Sequence, residues 1–155
     1  MMNAVNVRRL RVTAPSVAAT VILGGIGLCP SAPPAAAATV VVGDGGFTEI
    51  QEAVDAAESG DTILIMPGTY GVPENGVYFG FKNLYVTSSA GSESTFVDLY
   101  GSEQGFFLDL YQDTTSVIEA LTLDGTDVYP DTGIRCENAS VEVRDCVFLD
   151  ARRGI

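Results

Sequence analysis

Two aspartates, Asp124 and Asp150, are the residues whose spacing first suggests chemistry. They end two similar segments, residues 119–124 (EALTLD) and 145–150 (DCVFLD). If these segments are strands of neighbouring coils, the two carboxylates lie about 4.8 Å apart, which is the spacing of adjacent strands. Carboxylates this close repel each other unless they are protonated or bridged by a cation. With Asp127 nearby, Asp124 and Asp150 form a candidate Ca²⁺ or substrate-contact site.

A second interpretation of Asp124 and Asp150 is the one we favour. Each aspartate accepts backbone N–H bonds within its own turn, so that the pair forms a polar ladder at a corner of the fold.

The chain contains no histidine. This excludes Ser-His-Asp and Cys-His catalysis, and histidine-ligated metals, from the residues present. Carboxylates, lysine and arginine remain as catalytic groups, and a pair of carboxylates is the usual requirement for glycoside hydrolysis.

The charge is concentrated after residue 38. Residues 39–155 contain all 20 acidic residues and only five of the eight basic ones, which gives that part a net charge of −15. Nucleic acids and anionic membrane surfaces bind basic faces, so neither is expected as a partner. The acidic surface permits binding of a hard cation such as Ca²⁺, but we favour a solvated surface that maintains solubility.

Residues 1–38 have the pattern of a secretory signal peptide. Arg8, Arg9 and Arg11 form a basic region, an apolar stretch covers residues 17–28, and cleavage is predicted after Ala38. The apolar stretch is shorter than the roughly 20 residues of a membrane-spanning helix, so no stable span is expected after cleavage. Twin-arginine export, a lipoprotein anchor and an uncleaved anchor are weaker alternatives. The sequence predicts a secreted protein, located outside the cell or in the cell envelope, with one domain over residues 39–155.

Two cysteines, Cys136 and Cys146, remain after residue 38. Two are too few for a disulfide framework. They could pair outside the cell or act as small buried apolar side chains, and we favour burial.

One amphipathic helix is predicted between residues 48 and 60. Thr48 and Gln51 fit a capping box that would begin it, and Gly60 is expected to end it. Four apolar residues at helical spacing form a narrow stripe that must pack on another element: Ile50, Ala53, Val54 and Ala57.

The rest of the chain alternates short strand-like runs with turn residues, including a predicted turn at residues 67–70. A glycine followed by an apolar residue recurs at Gly76-Val77, Gly105-Phe106, Gly133-Ile134 and Gly154-Ile155. Three strands per repeat without intervening helices predict an all-β fold, a right-handed parallel β-helix with a short N-terminal capping helix. Leu121 and Leu123 are expected to stack against Val147 and Leu149. The competing antiparallel β-sandwich does not explain the repeated Gly-apolar pairs.

Three segments resemble the N-terminal cap and first coil of the pectin-lyase-like right-handed parallel β-helix superfamily: residues 47–57 (FTEIQEAVDAA), 60–63 (GDTI) and 67–70 (PGTY). Residues 133–155 are similar to the generic parallel β-helix repeat of that superfamily. The resemblance implies the fold and a link to extracellular polysaccharide. It does not select an activity, because polysaccharide lyases, glycoside hydrolases, carbohydrate esterases and non-catalytic surface proteins share this opening.

Residues 112–114 (Gln-Asp-Thr) resemble a catalytic tripeptide of pectin methylesterases. The following Thr115-Ser116 departs from that family, which has leucine and an aromatic residue there. The nucleophile strand of the family is also absent. We therefore interpret residues 112–114 as a polar turn.

The resemblance leads to a functional hypothesis. We expect a secreted β-helix protein that binds or degrades a pectin-like or other acidic polysaccharide. The alternative is a non-catalytic, adhesin-like interaction protein. Because Gly154-Ile155 opens a new repeat, the domain is expected to be C-terminally incomplete, with its catalytic coils missing and no complete active site in this chain.

Overall fold

The computed structural model describes the backbone of residues 4–12 and residues 36–109, 116–126, 132–151 and 153–155. These residues form a parallel β-solenoid of about four turns with one short helix. The elements, in chain order, are β1 (Ala4–Val12), β2 (Thr39–Val42), α1 (Ile50–Ala56), β3 (Thr62–Ile65), β4 (Gly68–Gly71), β5 (Val77–Tyr78), β6 (Tyr85–Ser88), β7 (Thr95–Asp98), β8 (Gln104–Asp109), β9 (Val117–Glu119), β10 (Thr122–Asp124), β11 (Thr132–Glu137) and β12 (Val141–Leu149). The prediction of an all-β parallel β-helix with an N-terminal helix is confirmed.

The solenoid has three faces. The first face stacks β2, β3, β6, β9 and the first half of β12, and the second stacks β4, β7, β10 and the second half of β12. The third face stacks β5, β8 and β11. Asp145 lies at φ 47 where β12 turns from the first face to the second, and Ala120 at φ 59 makes the same corner one coil earlier.

The core consists of columns of apolar side chains, one residue from each coil. On the first face Ile63, Val86, Ile118 and Val143 lie in register, and each is fully buried. Full burial of such a side chain stabilises the folded state by about 1.5–3 kcal/mol. These columns tie each coil to the next along the solenoid.

The recurring glycines have a steric cause. A β-carbon on Gly76 would lie 2.6 Å from the carbonyl oxygen of Gln104, and one on Gly105 would lie 2.4 Å from that of Gly133. A side chain at these positions would collide with the backbone of the next coil. The repeated Gly-apolar pairs are confirmed as a stacked column, in which Val77, Phe106 and Ile134 are register partners.

The helix packs where expected but begins differently. Ile50, Ala53, Val54 and Ala57 are buried, and α1 lies against β2, β3 and β5. The capping box is wrong, because the N-cap is Glu49 and its side chain makes no capping bond. Gln51 instead bonds to β5, accepting from Tyr78 N at 2.8 Å and donating to Tyr78 O at 3.2 Å. The helix ends at Ala56, before the turn that contains Gly60.

Two local expectations are corrected. Residues 67–70 are not a free turn, because Gly68–Gly71 is strand β4 and pairs with β7. The expected stacking at the last coil is shifted by one residue, since Leu123 pairs with Phe148 rather than with Leu149. A one-residue shift exchanges the inward and outward faces of a strand. Cys146 and Phe148 are therefore buried, whereas Val147 and Leu149 are half-buried.

Both cysteines after residue 38 are free thiols, as the favoured interpretation expected. Cys146 is buried and Cys136 is half-buried. Burial raises the pKa of each thiol to about 11.

Candidate functional site

The structure does not pair the two predicted site residues in register. Asp124 ends β10, and its register partner in the next coil is Leu149. Asp150 follows β12 and lies at φ 49, one residue beyond that register. Asp127 and residues 112–114 lie outside the described residues.

The register partner of Asp124 on its other side is a carboxylate that sequence reasoning missed. Asp98 ends β7 and pairs with Asp124. Asp98 precedes Asp124 by the same number of residues as separates Asp124 from Asp150, so extending the repeat backwards would have found it. The coil after Asp124 is one residue shorter, and this moves Asp150 out of the column.

These two aspartates line an open groove on the second face, with a volume of about 500 Å³. Its walls come from three consecutive coils, and we call it the carboxylate groove; its residues are Thr69, Phe96, Asp98, Tyr100, Asp124 and Thr126. Tyr100 is 71 % exposed, so its ring is available for contact. The groove therefore places an accessible aromatic ring beside two outward-facing carboxylates.

Each groove carboxylate also holds its own turn. Asp98 Oδ1 accepts from Tyr100 N at 2.9 Å, and Asp124 Oδ1 accepts from Thr126 N at 2.9 Å. This is the local bonding expected for an aspartate in a corner turn. A carboxylate has about four acceptor positions, so each can accept further hydrogen bonds from a ligand.

The electrostatic surroundings leave the groove acidic. Within the described part of the chain, neither Asp98 nor Asp124 forms an ion pair. Thr126 Oγ1, in the groove wall, is buried and has no hydrogen-bond partner among the same residues. The groove offers two carboxylates to a ligand that brings hydrogen-bond donors.

The side chains of the groove do not by themselves complete a Ca²⁺ coordination shell. Ca²⁺ takes about six to eight oxygen ligands. The described residues contain no group of three or more carboxylate or thiol side chains that could hold a metal ion. Asp98 and Asp124 therefore supply only part of a Ca²⁺ coordination shell, and the other oxygen ligands would come from backbone carbonyls, water or a bound molecule.

A second outward-facing arrangement lies on the third face. Tyr78, Phe107 and Arg135 are register partners on β5, β8 and β11, and we call them the aromatic column. The two ring centroids are 5.5 Å apart, and the Arg135 guanidinium carbon lies 5.5 Å from the Phe107 centroid. Arg135 also pairs with Glu137, which offsets its charge.

Known proteins supply no assignment for either surface. No family model, curated protein or solved structure matches the chain. Among the described residues, no helix has the length and apolar character needed to cross a membrane.

Proposed function

We propose that this protein is a secreted β-solenoid that binds extracellular polysaccharide in the carboxylate groove. The observation that carries the proposal is the register pairing of Asp98 with Asp124 beside the exposed ring of Tyr100. An open groove crossing three coils suits a polymer, whereas sites for small molecules enclose most of the ligand surface.

The chemistry of the groove suits sugars. Hydroxyl groups donate to ionised carboxylates in charge-assisted hydrogen bonds, which are about twice as strong as neutral ones. The face of the Tyr100 ring offers an apolar surface to the C–H groups of a pyranose, as the amphipathic tyrosine side chain does in other interfaces. A hydroxyl-rich ligand satisfies both kinds of surface at once.

The negative charge of the groove should make the binding of neutral polysaccharides differ from that of acidic ones. Two carboxylates repel the carboxylates of an acidic glycan, and the chain as a whole carries a net charge of −12. A pectin-like ligand therefore requires a cation such as Ca²⁺ that is coordinated by carboxylates of both the ligand and the protein. A neutral glycan has no such requirement.

The proposal also includes the handedness of the solenoid and its superfamily. We propose a right-handed winding, because crossover connections between parallel strands of one sheet are right-handed in nearly all proteins. The glycine column, the three faces and the helix against the first coil support a place in the pectin-lyase-like superfamily. Export through residues 1–38 and a location outside the cell or in its envelope complete the proposal.

A non-catalytic interaction protein is the second candidate, and the aromatic column favours it. Tyr78 and Phe107 present adjacent rings on the outer surface, with Arg135 stacked at the end. Such a surface suits contact with another macromolecule, because aromatic residues and arginine are enriched at interfaces.

Affinity electrophoresis in gels that contain neutral or acidic polysaccharides, with and without Ca²⁺, tests the groove. Tyr100→Ala should weaken binding about tenfold, which corresponds to about 1.4 kcal/mol. Phe81→Ala is the matched control, because Phe81 is 76 % exposed and lies outside the groove. Equal retardation of both variants would refute the groove as the binding site.

The carboxylates are tested in the same gels. Asp98→Asn retains an oxygen that can hold the turn to Tyr100 but loses the charge, so binding of a neutral glycan should weaken and Ca²⁺-dependent binding of polygalacturonate should disappear. Asp44→Asn is the control, because Asp44 is exposed and asparagine tolerates its left-handed φ of 48. Loss of binding in Tyr78→Ala, with the groove variants unchanged, would favour the aromatic column. We expect no turnover of polygalacturonate with or without Ca²⁺.

A further inference from the structure

The residue just before the first coil is bonded to the fold on both sides of its peptide unit. Ala38 is exposed and immediately precedes β2. Its N–H donates to Asp61 Oδ1 at 2.7 Å, and its carbonyl oxygen accepts from Thr62 N at 2.8 Å. The second bond begins the ladder between β2 and β3, in which Thr39 is the register partner of Thr62. Ala38 is therefore part of the folded domain.

Asp61, which accepts from Ala38, is itself held firmly. It is a buried residue in the turn between α1 and β3, and its Oδ2 accepts from Glu58 N at 2.8 Å. The bonds from Ala38 and Glu58 hold the pKa of Asp61 below its usual value, so its carboxylate is ionised at neutral pH. Within the described part of the chain it has no lysine or arginine partner. A fixed negative charge thus lies against the backbone nitrogen of Ala38.

The two residues before Ala38 are not attached in this way. Ala36 and Ala37 are exposed, and no hydrogen bond joins either of them to another described residue. The boundary between the segment that the fold holds and the segment that it does not hold falls at the peptide bond between Ala37 and Ala38.

The signal-peptide pattern is compatible with cleavage at two neighbouring bonds. Residues 35–38 are all alanine, so the small-x-small requirement is met before the bond that follows Ala37 as well as before the bond that follows Ala38. Cleavage after Ala38, the bond predicted from the sequence, would remove both hydrogen bonds of that residue. Cleavage after Ala37 would retain both of them.

We propose that the exported protein begins at Ala38 and that Asp61 binds the α-ammonium group created there. The proposal rests on the export proposed above. Signal peptidase would hydrolyse the C–N bond between Ala37 and Ala38 with one water molecule, which leaves a carboxylate on Ala37 and a protonated amine on Ala38.

The new ammonium group suits the position of Asp61. It has three donors, of which one retains the bond to Asp61 and the others reach water, because Ala38 is exposed. A hydrogen bond between two ions is about twice as strong as one between neutral groups. Processing would thus tighten the attachment of the first residue of the domain to the turn before β3.

The first residue of the exported protein tests the cleavage site. The full 155-residue chain is produced in a secreting host, and the intact mass of the product is measured by mass spectrometry. We expect the mass of residues 38–155. A product that begins at Thr39, or at any other processed position, would overturn this proposal and leave export intact. A product that retains residues 1–37 would refute export, and this proposal with it.

The reactivity of the α-amine tests its pairing with Asp61. A carboxylate in contact with an amine raises the pKa of the amine, and a rise of one pH unit lowers the unprotonated fraction about tenfold. Acylation of the Ala38 amine at pH 7 should therefore be about tenfold slower in the exported protein than in exported Asp61→Asn. Asp44→Asn is the matched control, because Asp44 is exposed, and it should react as slowly as the unmodified protein. Peptide mapping separates this amine from that of Lys82.

A second measurement needs no variant. In the unmodified exported protein, unfolding by urea should accelerate acylation of the Ala38 amine about tenfold at the same pH. Access does not limit the folded rate, because Ala38 is exposed. Equal rates in the folded and unfolded protein, or equal rates in the folded protein and Asp61→Asn, would overturn the pairing.

Discussion

A β-carbon added to Gly105 would lie 2.4 Å from the carbonyl oxygen of Gly133 in the next coil. Because the obstacle is backbone, the coils must move apart to accept it. Overpacking of this kind costs about 1–3 kcal/mol. We expect Gly105→Ala to lower the free energy of unfolding by about 2 kcal/mol or more, measured by urea denaturation.

Gly71 provides the control for this prediction. No atom lies within 4 Å of a β-carbon built there, and its φ is not in the left-handed region. Gly71→Ala should leave stability unchanged or raise it by about 0.4–1 kcal/mol, because it restricts the unfolded chain. Equal stability of the two variants would contradict the steric account of the glycine column.

Two substitutions in and before α1 distinguish the observed Gln51–Tyr78 bonds from the capping box that the sequence pattern predicts. Gln51 bonds both backbone groups of Tyr78, so Gln51→Ala should lower the free energy of unfolding by about 1 kcal/mol. A capping box would instead assign a cost of about 1 kcal/mol to Thr48→Ala. The structure gives Thr48 only a 3.4 Å contact with Glu52, and we expect its loss to cost less than about 0.5 kcal/mol. A larger loss of stability in Thr48→Ala than in Gln51→Ala, measured by thermal unfolding, would support the capping box instead.

The sequence contains the repeat but not its register. Each coil needs a glycine where a β-carbon would collide with the backbone of the next coil, so Gly105 and Gly133 are recognisable as a repeat in the sequence. The register of Asp124 with the next coil is set before β12 begins. The offset between the two coils is the same before the corner, where Val117 pairs with Glu142, as after it, where Thr122 pairs with Val147. The length of that coil is set by packing of the whole coil, and a one-residue difference places Leu149 rather than Asp150 opposite Asp124. Asp98 pairs with Asp124 on the other side, independently of this length.

Helix α1 also has one feature that the sequence predicted and one that it did not. The stripe from Ile50 to Ala57 was predictable because burial of an apolar face follows helical spacing. The use of Gln51 was not, because its partner Tyr78 is 27 residues away and on the edge of another element. A local motif competed with this long-range contact, and the contact was formed.

The two cysteines should be unreactive in the folded protein. Burial raises the pKa of Cys136 and Cys146 to about 11, so about one thiol in a thousand is ionised at pH 8. In a Cys29→Ser background, a disulfide reagent should label neither at an appreciable rate until guanidinium unfolds the chain. Cys146 should be the slower of the two, because it is fully buried.

An added cysteine at Ser89, which is exposed, serves as the control for reagent access and should react at once. Unfolding should then reveal both native thiols in addition. Fewer than two native thiols after unfolding would show that Cys136 and Cys146 pair, and rapid labelling of the folded chain would contradict their burial.

Tyr85 links two coils on the outer side of the first face and should make stability depend on alkaline pH. Its hydroxyl donates to Glu119 Oε2 at 2.7 Å, and this bond, with partial burial and the Glu119 charge, raises the pKa of Tyr85 above its usual 10.0. A raised pKa in the folded state adds stability below pH 10 that is lost as the pH rises through the folded-state pKa. The free energy of unfolding should therefore fall more steeply above pH 10 in the unmodified protein than in Tyr85→Phe. Glu119→Gln should lower the pKa of Tyr85, seen as earlier tyrosinate absorbance, and an unchanged titration would mean that Glu119 does not control this hydroxyl.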